Sequence, residues 1–224
     1  GETTNHGLEL SLNAYPVQTR DFTWETNFNA ALQKEAIVEL ATGKEDDLGH
    51  NWFIGQPVSV FYTFDNEGLW QEKDQDLMAK FNENGHNFTP GSIRPKDQNG
   101  DFTINDDDKV ILGQKNPTFT MGWMNTFSWK GLSLAFELFG RMGYMISTGG
   151  EAQINQGNQR AIDYWTPNNP NAEWQKPVYS TAGGDSYTSL LGFKKASFIK
   201  VRNISLAYSF PRSACEFIGI ESLK

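Results

Sequence analysis

Two consecutive stretches within residues 119–142 alternate between apolar and polar side chains, and only the dipeptide Lys130-Gly131 separates them. In the first stretch Met124 is out of place, because it is apolar at a polar position. Successive side chains of a β-strand point to opposite faces. The pattern therefore predicts a β-hairpin that needs apolar surroundings on one face and water on the other. The apolar positions are Phe119, Met121, Trp123, Phe127 and Trp129, then Leu132, Leu134, Phe136, Leu138 and Met142.

The same alternation occurs in three other parts of the chain, which lie within residues 8–14, 22–32 and 198–210. Repeated period-two patterning of this length predicts strands rather than helices. With a further strand beginning near residues 222–224, we expect about five full strands and the start of a sixth. The fold class is therefore predicted as all-β and antiparallel. The apolar members are Leu8, Leu10, Leu12 and Ala14; Phe22, Trp24, Phe28, Ala30 and Leu32; and Phe198, Ile204, Leu206, Tyr208 and Phe210.

The connections between these strands alternate between short and long. Residues 16–21 and 130–131 form short links, whereas residues 35–118 and 143–196 form long ones. Short turns at one end and long loops at the other are typical of an outer-membrane β-barrel. A mean hydropathy of −0.54 does not argue against this, because alternating strands dilute the hydropathy signal. A soluble β-sandwich also alternates, although its strands are usually shorter.

Three short helical segments are expected within the connections. They cover Asp74 to Asn84, Asn158 to Trp165, and Ser213 to Phe217. No run of about eighteen apolar residues is present, which excludes a transmembrane helix.

Composition narrows the class of partner. The net charge of −8 argues against binding to nucleic acid or to an anionic membrane surface. Cys215 is the single cysteine, so no internal disulfide can form. The chain does not start with a signal peptide, and its strand pattern breaks off at its end. We therefore expect residues 1–224 to be a piece of a longer protein.

One acidic segment has the spacing of a calcium-binding loop. It has oxygen-bearing side chains at positions one, three, five and nine and a carboxylate at position twelve, and position seven would contribute its backbone carbonyl. A tight loop with this spacing can wrap Ca²⁺. Phe102 stands where such loops have glycine, and an aspartate replaces the usual glutamate at position twelve. The alternative is an acidic surface turn whose side chains accept hydrogen bonds from backbone amides. The candidate ligands are Asp97, Asn99, Asp101, Thr103, Asn105 and Asp108.

The sequence contains no motif that indicates catalysis, and we expect the protein not to be an enzyme. His6, His50 and His86 are scattered, and the chain has no phosphate-binding loop, nucleophile elbow or zinc motif. Aromatic residues in the second long connection have two possible roles. They stack on a sugar or a peptide, or they hold the connection together. These residues are Tyr164, Trp165 and Trp174.

A series of distinctive sequence blocks extends over nearly the whole chain. The blocks are Gly55–Tyr62, Pro90–Arg94 leading into Asp97–Asp101, Val110–Gly113, Asn116–Gly122, Tyr164–Ala172 and Phe198–Tyr208. In content and order they resemble SusC/RagA-type TonB-linked outer-membrane proteins. Each block alone is modest, but their order is specific.

The resemblance implies that residues 1–224 are part of the C-terminal portion of a transmembrane barrel of about twenty-two strands. The plug domain of such proteins is absent from this chain. The family imports glycan or peptide fragments across the outer membrane of Gram-negative Bacteroidota, with a SusD-like lipoprotein outside and TonB supplying energy. The two long loops would then be extracellular, and the apolar faces would meet membrane lipid. The resemblance implies no required cofactor, so the Ca²⁺ expected from the acidic segment is the one candidate. Polar residues expected to line the lumen are Glu25, Asn27, Asn29, Glu137 and Arg141.

A second function remains open at this point. A soluble β-domain, stabilised by Ca²⁺, would bind carbohydrate without transporting it. The two possibilities differ in what the apolar faces meet, a protein core or lipid.

Overall fold

The computed structural model describes residues 1–148, 162–177, 186–217, 219–221 and 223. Strands dominate these residues, and two short helices and three 3-10 turns interrupt them. The strands are β1 (Glu2–Gln18), β2 (Phe22–Glu39), β3 (Val60–Phe64), β4 (Asn66–Leu69), β5 (Ile93–Pro95), β6 (Lys109–Gln114), β7 (Phe119–Trp129), β8 (Leu132–Met142), β9 (Met145–Ser147), β10 (Phe193–Lys195) and β11 (Phe198–Tyr208). The helices are α1 (Gln75–Glu83) and α2 (Arg212–Phe217), and the 3-10 turns are Glu72–Asp74, Asp106–Asp108 and Thr188–Gly192.

The five long strands form one antiparallel sheet in the order β1-β2-β7-β8-β11. This confirms the five predicted strands and the antiparallel all-β class. Within the described part of the chain the sheet does not close, so β1 and β11 lie at its edges. The start of a sixth strand was expected near residues 222–224, of which only Leu223 is among the described residues.

The register separates the two faces as predicted for β1, β2, β7 and β8. Side chains of directly paired residues lie on the same face of a sheet. One row across the sheet consists of Leu12, Phe28, Trp123, Leu138 and Val201, and the adjacent row consists of Ser11, Asn29, Gly122, Phe139 and Lys200. We call the side of the first row the apolar face and the side of the second row the polar face.

The prediction for the start of β11 was wrong. A β-bulge between Val201 and Asn203 inserts one extra residue, so the parity of the strand changes there. Before the bulge, Ile199 and Val201 belong to the apolar face. Phe198 instead pairs with Arg141 on the polar face.

The turn between β7 and β8 has the geometry that its sequence predicts. Lys130 and Gly131 both have positive φ, at 45° and 89°. A two-residue turn with both central residues in this region matches the right-handed twist of its strands. The other short link is residues 19–21, because β1 extends to Gln18, beyond its predicted end, while β2 begins at Phe22 as predicted.

The long connections have their own structure. We call residues 40–118 loop 1 and residues 143–197 loop 2. Helix α1 confirms the helix expected from Asp74 to Asn84, and α2 confirms the one near Ser213. Most of the helix expected from residue 158 lies outside the described residues, and at its end Tyr164 bridges to Trp174 instead of being helical.

The buried core lies in the loops rather than in the sheet. One cluster joins the two loops, and a second packs α1 against the rest of loop 1. None of the helices in the described ranges is long and apolar enough to cross a membrane. The first cluster is Leu69, Ile93, Trp165, Leu190 and Leu191, and the second is Trp70, Met78, Phe81, Phe88 and Ile104.

Candidate functional site: two faces of a sheet and its loops

The apolar face of the sheet is uncovered. Leu8, Leu206 and Ile204 are 70%, 69% and 67% exposed, and several other members of the face exceed half. An exposed apolar surface that continues across several strands marks a region that contacts a membrane or another protein. The two buried clusters of the described residues consist of loop side chains and include no member of this face. The sheet therefore presents a surface suited to lipid.

A polar cluster interrupts the apolar face between β2 and β7. Thr26 and Asn125 pair directly and are only 8% and 1% exposed. The indole of Trp24 donates to Asn125 Oδ1 at 3.0 Å, and the indole of Trp123 donates to Thr26 Oγ1 at 2.9 Å. We call these four residues the indole cluster. Sequence reasoning missed it, although two polar residues at apolar positions of neighbouring strands were a visible signal.

The polar face contains all five residues expected to line a lumen. Ser11 donates to Asn29 at 2.8 Å, and Arg202 donates to Glu137 at 3.2 Å. An open groove of about 500 Å³ runs past Gly122 between these two pairs. Such a surface is stable in contact with water, because its charges are exposed or paired.

The two loops are joined into one unit by contacts between distant parts of the chain. The indole of Trp165 donates to Gln71 Oε1 at 3.0 Å, and the amide of Lys176 donates to the Gly91 carbonyl at 2.8 Å. Gly91 has φ +87°, and a Cβ there would lie 2.5 Å from the Trp165 ring. The close approach of the loops therefore requires glycine at this position.

The loop aromatics differ in exposure. Trp165 is 3% exposed and belongs to the shared core, so it holds the loops together instead of stacking on a ligand. Trp174 packs against the same core, and the Lys194 ammonium lies 5.9 Å from its ring centre. Tyr164 is 44% exposed and is free to contact a solute.

The acidic segment folds as a tight loop with its side chains turned onto its own backbone. Asp97 accepts from the amides of Gly100 and Phe102, at 2.6 and 3.0 Å. Asn99 and Asp101 accept from the amides two residues ahead. Phe102 has φ +60°, the conformation for which calcium loops use glycine at this position.

The end of this loop is closed by a buried carboxylate. Asp108 has no exposed surface and accepts from the amides of Gln98 and Asn105, at 2.7 and 3.0 Å. Asn105 in turn accepts from the amide of Asp107. Thr103, two residues before Asn105, donates its amide to Asp101. The described residues contain no group of three or more His, Cys, Asp or Glu placed to hold a metal ion.

One ionisable pair stands on the surface of loop 1. Asp47 Oδ2 lies 2.8 Å from His50 Nδ1, and the His50 amide donates to the same carboxylate. The hydrogen bonds from His50 lower the pKa of Asp47. The His50 ring stacks on Trp52 at 5.0 Å.

No family model matches the chain. Curated relatives are nevertheless similar over its whole length. It is 27% identical to the TonB-dependent receptors P26 and P3 of Formosa agariphila, over 99% and 100% of the chain and 24% and 23% of the relatives. It is 25% identical to the TonB-dependent receptor SusC of Bacteroides thetaiotaomicron, over 94% of the chain and 21% of SusC. The chain thus spans about a quarter of the length of these proteins.

Solved structures show the same fold. The structure of the RagAB peptide transporter matches with a TM-score of 0.66 and 22% identity, covering 94% of this chain and 23% of that one. A closed-closed state of the RagAB peptide importer matches with a TM-score of 0.59 and 21% identity, over 95% and 24%. The resemblance to SusC/RagA-type proteins is confirmed, and the fold is that of an open segment of such a barrel.

Proposed function

We propose that this chain, whose relatives are TonB-dependent receptors, forms part of the wall and outer loops of an outer-membrane transporter. The observation that supports the proposal is the sheet itself, with an uncovered apolar face, a polar face behind it and two large loops at one end. The function would be gated passage, in which no covalent bond of the solute is made or broken.

Strand length supports a membrane-spanning role. Strands β7 and β8 have 11 residues each. At about 3.4 Å per residue and a tilt of about 40°, each reaches about 29 Å along the membrane normal. The apolar band of an outer-membrane barrel is about 25 Å tall. The hairpin therefore has the length to cross such a band and to place Lys130-Gly131 at one rim.

We infer the solute and the partners from the similarity of this chain to TonB-dependent receptors. The solute is a glycan or peptide fragment, the extracellular partner is a SusD-like lipoprotein, and TonB supplies the energy through parts of the parent protein outside this chain. The relatives named SusC and RagAB support this assignment, as does Tyr164, which is exposed on the joined loops. The location would be the outer membrane of a member of the Bacteroidota.

The test is an uptake measurement on the full-length protein. Cells expressing it should accumulate labelled oligosaccharides or oligopeptides, and deletion of TonB should abolish accumulation. The competing function is a soluble carbohydrate-binding β-domain. Purification of residues 1–224 as a folded monomer without detergent would support that alternative and contradict the transport role.

We further propose that the segment from Asp97 to Asp108 binds Ca²⁺. The support is its ligand spacing together with the left-handed Phe102, which reproduces the turn of a calcium loop. Calorimetric titration of the full-length protein with Ca²⁺ should give a binding signal that Asp97→Ala plus Asp101→Ala removes. Asp106→Ala, at an exposed position outside the ligand spacing, is the control. An identical signal from the double variant would show that the loop is a metal-free turn.

A further inference from the structure

The indole cluster poses a physical problem on a face that meets lipid. An amide or hydroxyl transferred to hydrocarbon without hydrogen bonds is strongly disfavoured. Asn125 Nδ2 has no hydrogen-bond partner and no exposed surface. A valine and a leucine at the two positions would avoid this cost, so the polar pair requires another explanation.

The hydrogen bonds of the cluster are reciprocal between strands. Trp24 of β2 donates to Asn125 of β7, and Trp123 of β7 donates to Thr26 of β2. Both bonds run diagonally and flank the Thr26–Asn125 row. Each strand therefore supplies one donor and one acceptor, and the two diagonal bonds depend on how β2 and β7 are aligned.

Hydrophobic patterning alone cannot select that alignment. A slip by one residue would move every apolar side chain to the polar face, and is excluded. A slip by two residues keeps every side chain on its face. A slip in one direction would place Asn125 opposite Phe28 and move both indoles two further residues away from their acceptors. A slip in the other direction would place Trp24 directly opposite Asn125, so the cluster does not oppose it. The cluster thus distinguishes the native register from the first of these two slips, which patterning alone allows.

The register between β2 and β7 needs a side-chain interaction of this kind, because no tight turn joins the two strands. The β7–β8 register is set by the turn Lys130-Gly131, and the β1–β2 link is residues 19–21. Between β2 and β7 lies all of loop 1. A long loop leaves the alignment of its flanking strands undetermined, whereas a two-residue turn fixes it.

We propose that the indole cluster is a register lock on the lipid-facing side of the wall, which favours the native alignment of β2 with β7 over the slip that places Asn125 opposite Phe28. The proposal rests on the transport role in one respect, because its advantage depends on the apolar face meeting lipid. A single buried polar residue fixes register in coiled coils by the same principle.

The test measures register directly by cysteine cross-linking in the full-length protein in outer membranes. The native reporter combines Glu25→Cys with Thr126→Cys, which are directly opposite on the polar face. The slipped reporter combines Glu25→Cys with Ser128→Cys, which become opposite when Asn125 faces Phe28. Native Cys215 is buried and remains in every variant. The quantity measured is the ratio of slipped to native cross-link.

Two variants remove the lock in different ways. Thr26→Val with Asn125→Leu removes the acceptors, and Trp24→Phe with Trp123→Phe removes the donors but keeps the rings. In each, the ratio should rise at least about tenfold. Thr120→Val removes a hydroxyl from the polar face of the same strand pair and should leave the ratio unchanged.

The outcomes separate the lock from the transport role. An unchanged ratio in both variants overturns the lock. If the acceptor variant fails to assemble, the donor variant decides the question alone. Absence of the wild-type protein from the outer-membrane fraction overturns the transport role, whereas a wild-type protein found there that cross-links equally in native and slipped reporters overturns the lock only.

Discussion

An arginine placed in the middle of the apolar face should destabilise the wall far more than one on the polar face. Leu138 lies one residue from the centre of β8, between Trp123 and Val201. An arginine at the midplane of a barrel's lipid face costs about 2–4 kcal/mol. Met124 is at similar depth on the opposite face and pairs with Glu137. Met124→Arg should therefore change stability by less than about 0.5 kcal/mol.

The free-energy cost of an arginine on the apolar face should also depend on how deep in the membrane the residue lies. Leu134 lies three residues from the centre of β8, which is about 8 Å along the membrane normal. Because the penalty falls towards the interfaces, Leu134→Arg should cost about 1–2 kcal/mol. Its neighbour Ser133 lies on the polar face, where arginine should be tolerated.

Denaturant unfolding of the full-length protein in phospholipid vesicles measures these differences as shifts in the midpoint. The predicted order of destabilisation is Leu138→Arg, then Leu134→Arg, then Met124→Arg together with Ser133→Arg. Equal midpoints for the Leu138 and Met124 variants would refute the assignment of the two faces. Equal penalties at Leu138 and Leu134 would refute the membrane depth derived from strand length, but not the faces.

Three further predictions concern the loops. Gly91→Ala should speed proteolysis of both loops, because its Cβ meets the Trp165 ring, whereas Gly85→Ala has a similar φ of +93° but an open environment and should affect them less. Asp108→Asn should destabilise the acidic loop by about 1–3 kcal/mol, because the two backbone amides bond to different carboxylate oxygens and asparagine replaces one of these with an NH2 donor. This would appear as faster amide exchange in residues 97–108. His50→Ala should raise the pKa of Asp47 in an NMR titration, because it removes the side-chain hydrogen bond that contributes most to lowering that pKa, although the amide bond from residue 50 remains. The pair's contribution to stability is present above the ordinary aspartate pKa and disappears as the pH falls through the lowered one. An unchanged Asp47 pKa would contradict this cause.

The sequence predicts those parts of the fold that depend on local periodicity. The faces of β7 and β8 follow from alternation, and their register follows from the Lys130-Gly131 turn. Phe198 was assigned to the wrong face because a bulge adds one residue, and a periodic pattern contains no sign of where that residue is inserted. The physical cause is a change in hydrogen-bonded pairing and not in side-chain polarity.

The features that the sequence does not predict depend on contacts between distant residues. Thr26 and Asn125 become meaningful only once β2 is known to pair with β7. The burial of Trp165 likewise depends on Gln71 and Gly91 in the other loop. The ligand spacing from Asp97 to Asp108 is visible in the sequence, whereas the burial of Asp108 depends on how the loop packs.

The shared core of the two loops has a consequence for the order of assembly. Ile93 precedes the β7–β8 hairpin in the chain and Trp165 follows it, so the two can meet only when both loops are on the same side of the membrane. In the proposed setting, burial of this core is delayed until the hairpin has crossed. The joined loops would then oppose withdrawal of the hairpin from the membrane, because neither loop could pass back across it until the shared core had opened. Insertion of this part of the wall would be stabilised from outside, by residues that never enter the bilayer in the finished protein.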